Sequence, residues 1–375
     1  MRIDEFVMER MQSTWENQVE INLSESGVRP LRLGELLPDP AEREALAGQA
    51  LGYPQTNGTR ELRSAIAAMY EGATPDHVEV TNGGAEANFI TCWSLLDPGD
   101  DVVVMVPNYM QTWGLARAFA GSVKEWPLGE TATGWRPDLD ALESLVGAHT
   151  KLIVVCNPNN PTGARFSAAE LDAMCAIAAR AGAWLLSDEI YRGAELDGHE
   201  TPSAWGRYER VIVTSGLSKA YGLPGLRTGW IVGPPPLVAR TWSSHDYTTI
   251  APGALNDRLA RTALAPDRRL RLLERTRAIL RANLPHVSAW LSARADRFSF
   301  VPPEAGAIVF VRYHHPIGST ALATRLREEH GVLIVPGDQF GMDGYLRIGY
   351  GGDPTELNEG LGRLQALLAS LWPGR

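Results

Sequence analysis

From about residue 59 of this 375-residue chain, short apolar runs of strand length alternate with stretches of helical periodicity. Each run leads into a turn carrying glycine, asparagine, aspartate or lysine. A period near two and a period near 3.6 cannot serve the same element, so their regular alternation calls for an α/β fold with a mostly parallel sheet. Thr59 can cap a helix with Leu62, Ile66 and Met69 on one face, and Val78 to Thr81 then reads as a strand running into Asn82, Gly83 and Gly84. A second helix starts there with an expected core stripe of Phe89, Cys92, Trp93 and Leu96, and Asp97 to Asp100 stops it before the strand Val102 to Val106. Leu152 to Cys156 is a strand, Asn157 to Gly163 a turn, and Ser167 with Glu170 forms a capping box for a helix that lasts to Gly182. Two more strands are expected at Trp184 to Ser187 and Val211 to Thr214.

After an arginine-rich helical stretch from about 255 to 291, broken near Pro266, the grammar changes. Strands at Ala307 to Arg312 and Tyr345 to Gly349, with helices near 319–330 and 354–370, predict a smaller α+β domain. The expected organisation is a large domain over 46–282, with a seven-stranded sheet flanked by helices, and a small domain formed by 1–45 and 283–375.

In an open parallel sheet, ligands sit beyond the carboxyl ends of the strands. The turns that carry Gly83-Gly84, Asn108-Tyr109, Asn157 to Asn160, Asp188 and Lys219 all occupy such ends, which predicts one shared cleft. Gly83 and Gly84 permit a tight turn into a helix whose N-terminal amides suit a phosphate. The pair lies outside any GxGxxG or GxxxxGK[ST] pattern, which argues against nicotinamide and ATP. The chain has only three lysines, Lys124, Lys151 and Lys219. The first two flank strands near turns and read as solvated. Lys219 lies in the small-residue loop Ser215 to Gly229, where a long amine can reach inward, form a Schiff base with an aldehyde and act as a base. Arg227, eight residues on, offers a fork for a phosphate.

The segments Gly216 to Gly229, Asn157-Pro158-Asn159-Asn160-Pro161-Thr162-Gly163 and Ser187-Asp188-Glu189-Ile190-Tyr191 resemble the class I/II aminotransferases of pyridoxal-phosphate fold type I, in the family's order and over nearly the whole chain. The resemblance implies pyridoxal 5'-phosphate as cofactor, an amino acid and a 2-oxo acid as substrates, and a homodimer whose site is shared between subunits. It makes Lys219 the covalent lysine, pairs Asp188 with the pyridine nitrogen, places Asn160 and Tyr191 on the ring oxygen, and stacks Tyr109 on the ring. Gly84, Ala85, Ser218 and Arg227 would hold the phosphate, with Tyr53 reaching it from the other subunit. Arg347, in Tyr345-Leu346-Arg347-Ile348-Gly349, matches the position that binds the substrate carboxylate, aided by Asn160 and Gly27. By this reading Lys219, Asp188 and Tyr191 carry the catalysis.

There are departures from the family pattern. Gly216 stands where a phosphate-binding serine is frequent, so Ser215 or Ser218 would replace it, and Thr228 takes an apolar position. The run Asn22 to Val28 is similar to the corresponding segment of capreomycidine synthases, fold-type-I enzymes that cyclise a modified arginine. The alternative to transamination is therefore elimination, replacement or cyclisation on the same cofactor. The tryptophans, including Trp15, Trp113 and Trp242, and the polar run Ser243 to Tyr247 are candidates for a side-chain pocket, with most expected in the core or at an interface. No cationic residue is left over for a second substrate carboxylate.

The net charge of −9 would repel phosphate backbones and anionic lipid, which argues against nucleic-acid or membrane partners. The longest apolar runs fall far short of the roughly 20 residues that cross a bilayer. The first eleven residues read as no export signal, so a cytoplasmic enzyme is expected. Cys92, Cys156 and Cys175 are odd in number and sit in apolar patterns, so buried thiols are expected rather than a disulfide framework or a metal site.

Overall fold

The computed structural model describes residues 2–131 and 134–371. After β1 (Ile21–Asn22), the chain builds a large sheet from β2 (Val78–Thr81), β3 (Asp101–Val106), β4 (Ser122–Thr131), β5 (Gly134–Pro137), β6 (Thr150–Cys156), β7 (Trp184–Asp188), β8 (Val211–Gly216) and β9 (Gly229–Val232). Their order is β2-β9-β8-β7-β6-β3-β4-β5. The run from β8 to β4 is parallel throughout. β9 runs antiparallel to both β8 and β2, and β5 adds an eighth strand as a hairpin on the far half of β4.

Each central strand is buried on both faces. In β3, Val103 and Met105 join one core while Val102 and Val104 join the other, which is the period of two expected of a strand between two helical layers. Burying each such side chain stabilises the fold by about 1.5–3 kcal/mol. One layer contains the helices Gly84–Leu95 and Gln111–Phe119, and the other contains Ala168–Ala181. The capping box at Ser167 and Glu170 forms, and Gly182 closes that helix in the left-handed region at φ 66°. The expected stripe on Gly84–Leu95 is corrected. Phe89 and Trp93 are only half-buried, whereas Asn88, Thr91, Ser94 and Leu95 are buried. The helix is covered on more than one side, so burial there does not follow a single apolar face.

The strand order changes direction between β3 and β6, because β4 continues outward on one side and β7 and β8 on the other. This is the switch point at which open α/β sheets leave a crevice beyond their carboxyl ends. Asn108-Tyr109 follows β3 and Asn157 to Asn160 follows β6, so both turns border that crevice.

The helical stretch breaks at Pro266 as expected, into Ala254–Leu264 and Pro266–Ser292, with Pro266 at the first position of the second helix. That second helix runs through 282 and 283 without interruption and leads to β10 (Phe298–Phe300) and β11 (Ile308–Tyr313). β12 (Val332–Leu333), β13 (Val335–Pro336) and β14 (Tyr345–Gly349) follow, and the second sheet has the antiparallel order β10-β11-β14-β13. β1 pairs in parallel with β12, and Leu23 then bridges Leu333 and Gly349 by backbone hydrogen bonds of 2.9 and 2.7 Å. The N-terminal segment is thereby tied to the strand that carries Arg347.

Candidate active site

The five strand ends do converge. A cavity of about 330 Å³ is lined by Gly84, Ala85, Tyr109, Asn160, Asp188, Tyr191, Ser218, Lys219, Arg227 and Arg347, among others. Each of these positions was expected from the sequence to belong to one site. Tyr53 lies apart, 85% exposed on the surface, and Gly27 lies outside the cavity wall, packed behind the stem of Lys219.

At one end of the cavity, Gly83 adopts φ 99° and leads into the Gly84–Leu95 helix, whose first-turn amides face outward from the helix start. A side-chain carbon at Gly83 would come within 2.3 Å of the Arg227 guanidinium, and one at Gly229 within 2.4 Å of the Gly83 carbonyl carbon. Two glycines therefore let the turn, strand β9 and Arg227 close on one another. Arg227 itself holds a left-handed backbone, φ 44°, and its Nη1 lies 3.5 Å from the Ser218 hydroxyl. Ser215 is engaged elsewhere, donating to the Glu189 carbonyl at 3.1 Å, so Ser218 is the serine that lines the cavity. The absence of serine at 216 has a steric cause, since a side chain there would approach the Thr228 carbonyl to 2.7 Å. The Thr228 hydroxyl donates to the Leu226 carbonyl.

Deeper in, Asp188 accepts from Asn88 Nδ2 and from the Ile190 amide, both at 3.1 Å. Burial raises the pKa of its carboxyl, and no ion-pair partner compensates it among the described residues. Tyr191 is buried, which also raises its phenol. Tyr109 donates its hydroxyl to Glu9 at 2.9 Å and meets Phe6 edge to face at 5.1 Å. Burial, joined by the charge on Glu9, pushes the Tyr109 phenol well up.

Arg347 is 1% exposed. Its Nη1 donates to Asn160 Oδ1 at 3.1 Å and its Nη2 to the Ser24 carbonyl at 2.6 Å. Its buried Nε has no hydrogen-bond partner among the described residues. The side chain lines the cavity, so its buried guanidinium presents a positive charge to an anion there.

Lys219 Nζ lies 2.7 Å from Glu25 Oε1. Burial would lower the amine's pKa, but the charge on Glu25 and the nearby Tyr191 raise it overall, while the charge on Lys219 holds Glu25 down at about 2. By contrast Lys124 is paired with Asp101 at 3.1 Å and lies outside the cavity, as does Lys151.

The residues that sequence reasoning missed come mainly from the N-terminal helix Val7–Trp15 and its continuation. Met8, Glu9, Gln12, Glu16 and Glu25 all line the cavity. Glu9, Gln12 and Glu16 are three and four residues apart, a polar stripe at helical spacing that was readable. Asn88, one turn after Gly84, was readable for the same reason. Burial together with the charges of Glu25 and Glu9 raises the Glu16 carboxyl.

The expected pocket of tryptophans is a correction. Trp15, Trp113, Trp242 and the run 243–247 do not line the cavity. Trp15 stacks under Arg327, Trp242 donates to Thr56, and Trp113 borders a separate apolar groove. His245 is fully buried between Glu79 and Glu86, at 3.3 and 3.4 Å. The three cysteines are buried and free, and no cluster able to hold a metal ion occurs among the described residues.

Comparison with known proteins agrees with this geometry. The sequence profile of the aminotransferase class I and II family matches residues 21–364. Capreomycidine synthase of Streptomyces vinaceus is 34% identical, covering 96% of this chain and 92% of that protein. Aspartate aminotransferase of Streptomyces avermitilis is 31% identical over 84% of this chain and 81% of that protein. A crystal structure described as a PLP-dependent aminotransferase from Streptococcus suis 89-1591 superposes with a TM-score of 0.93 at 32% identity, over the full length of both chains. The chain belongs to the aminotransferase class I and II family.

Proposed function

We propose that the protein is a pyridoxal-phosphate-dependent aminotransferase that moves an amino group from an amino acid to a 2-oxo acid, with Lys219, Asp188 and Tyr191 at its catalytic centre. The observation that carries this reading is the meeting in one cavity of an inward-facing lysine, a buried carboxylate without an ion-pair partner among the described residues, and a buried arginine. These residues fit the cofactor. Asp188, raised by burial, gains most from a protonated ring nitrogen beside it, and the Gly84 helix start with Ser218 and Arg227 suits a phosphate dianion. When bound, pyridoxal phosphate supplies an aldehyde for the lysine and a ring that accepts the electron pair released at the substrate Cα.

Lys219 Nζ would hold the cofactor's aldehyde carbon and would move the Cα proton. The Arg347 guanidinium would grip the substrate carboxylate, and that grip would select which Cα bond is broken. Asn160 and Tyr191 hold the ring oxygen, with Asn160 coupled to Arg347 by their 3.1 Å hydrogen bond. Tyr109 covers the ring, its hydroxyl held by Glu9. Exposed Tyr53 suits a residue that completes the site of a second copy in a homodimer, each copy organised as a large domain of 46–282 and a small domain of 1–45 and 283–375. The only cations lining the cavity among the described residues are Lys219, Arg227 and Arg347, and Glu9, Glu16 and Glu25 face the same space. That balance weighs against a dicarboxylic donor. No helix among the described residues is long and apolar enough to cross a membrane, which supports the cytoplasmic reading.

Similarity to capreomycidine synthase supports a second reading, in which the same first proton removal ends in elimination, replacement or cyclisation. Holoenzyme incubated with a panel of amino acids and 2-oxo acids separates the two. Transamination yields a new 2-oxo acid and a new amino acid in equal amounts, and Lys219→Ala abolishes both products while Lys124→Ala and Lys151→Ala leave them unchanged. Consumption of an amino acid without nitrogen transfer to any acceptor would overturn the first reading in favour of the second.

A further inference from the structure

We propose that Glu25 is a positioning residue that sets the protonation of Lys219. Its carboxylate is fixed before the lysine reaches it. Glu25 Oε1 accepts from the Ser26 and Gly27 amides, each at 2.8 Å, and from Lys219 Nζ at 2.7 Å. Two backbone donors on one oxygen aim that oxygen, and a carboxylate so held is a charge at a defined place rather than a mobile surface group. Gly27 makes room for the arrangement, since a side-chain carbon there would sit 3.3 Å from Glu25 Oε1 and 3.5 Å from Lys219 Cδ.

The segment is also anchored from beneath. Arg347 donates to the Ser24 carbonyl, and the Glu25 backbone lies so close on β14 that a side-chain carbon at Gly349 would approach the Glu25 carbonyl to 2.1 Å. The carboxylate therefore belongs to the small sheet's framework, while the lysine follows β8 of the large one.

The groups facing Lys219 are Glu25, Glu16 and Glu9 from the N-terminal segment, Tyr191 after β7 and Arg347 from β14, with Asp188 and Arg227 on the same cavity wall. Burial and Arg347 disfavour the ammonium; the hydrogen-bonded Glu25 carboxylate opposes them at contact distance. Removing Glu25 takes away the largest group that opposes burial, so the amine's pKa falls. Glu25 thus favours the charged form of the uncombined Lys219 and holds its amine at the wall of the cleft.

The consequence for catalysis rests on the reading of Lys219 as the covalent lysine, but the ion pair is testable without it. The full-length protein, stripped of cofactor and labelled with 13C at lysine Cε, gives only three lysine signals. Lys219→Ala assigns one of them. In Glu25→Gln that signal should titrate at lower pH than in the wild type, Glu25→Asp should bring it back toward the wild-type value, and the Lys124 and Lys151 signals should stay put. An unmoved Lys219 titration in folded Glu25→Gln would overturn the proposal, as would an equal shift in Glu16→Gln, which would assign the effect to general cavity charge. If Glu25→Gln does not fold, the wild-type carboxyl decides. Glu25 should titrate near 2 and rise in Lys219→Ala, and an ordinary carboxylate titration in the wild type would refute the pairing. A normal Lys219 shift in a protein that develops no imine absorbance with pyridoxal phosphate would instead overturn the cofactor reading and leave the ion pair standing.

Discussion

Truncation of Arg347 offers the most quantitative check on the site. The guanidinium is 1% exposed and uses Nη1 on Asn160 and Nη2 on Ser24. If the guanidinium receives the substrate carboxylate, Arg347→Ala removes a charge-assisted contact and leaves a buried carboxylate unpaired in the complex. Losses of this kind cost about 3–5 kcal/mol. At about 1.4 kcal/mol per tenfold, kcat/KM for the amino donor should fall by roughly 10²- to 10³-fold or somewhat more. Arg347→Lys keeps the charge but not the fork, and should recover only part of that loss. The assay is steady-state kinetics with the best donor of the panel, beside the same donor as its decarboxylated amine. The amine has no carboxylate to lose, so its slow turnover should be nearly the same in wild type and variant. The substitution also orphans Asn160 Oδ1 and the Ser24 carbonyl, at about 1–3 kcal/mol each, so thermal unfolding is measured in parallel. A folded Arg347→Ala whose kcat/KM falls less than tenfold would refute the assignment of Arg347 to the carboxylate.

Asp188→Asn should lower kcat by roughly 10²- to 10³-fold while leaving the circular dichroism spectrum unchanged, because the amide keeps the shape but no longer stabilises a positive ring nitrogen. Gly229→Ala should weaken pyridoxal-phosphate binding and destabilise the fold by about 1–3 kcal/mol, since its new carbon would sit 2.4 Å from the Gly83 backbone; equilibrium dialysis and urea unfolding read the two effects. His245, between Glu79 and Glu86, is raised from 6.5 to about 9, against the effect of its own burial. A raised pKa means stabilisation that is complete below pH 6.5 and disappears as the pH climbs through 9, amounting to at most about 3 kcal/mol. Urea unfolding between pH 6 and 10 should show that slope in the wild type and a flatter one in His245→Gln.

Much of the architecture was legible because it rests on local chemistry. The capping box at Ser167 and Glu170, the break at Pro266 and the strand Val78–Thr81 each follow from residues within a few positions of one another. The reversed strand β9 was not legible, because Gly229 to Val232 carries no sign of which neighbour it will pair with or in which direction. Which tryptophans would border the cavity was not legible either, since Trp15, Trp113 and Trp242 found other packing partners that periodicity does not encode. His245 reads as part of a polar run, yet it is buried because two glutamates from β2 and the Gly84–Leu95 helix surround it.

The turn residues at the strand ends, the three-lysine inventory and the family motifs were determined by the sequence alone, because a parallel sheet obliges such ends to lie together and few residue types suit each turn. The charge state of the site was decided only by the tertiary structure. Glu25 and Lys219 are 194 positions apart, and the Asn160 to Arg347 bond spans 187. Contacts over such separations depend on the register of β14 and on where the N-terminal segment lies upon it, which no local pattern specifies. Coulomb energy and burial depend steeply on those distances, so the protonation of the key lysine emerges only when the two sheets are in place.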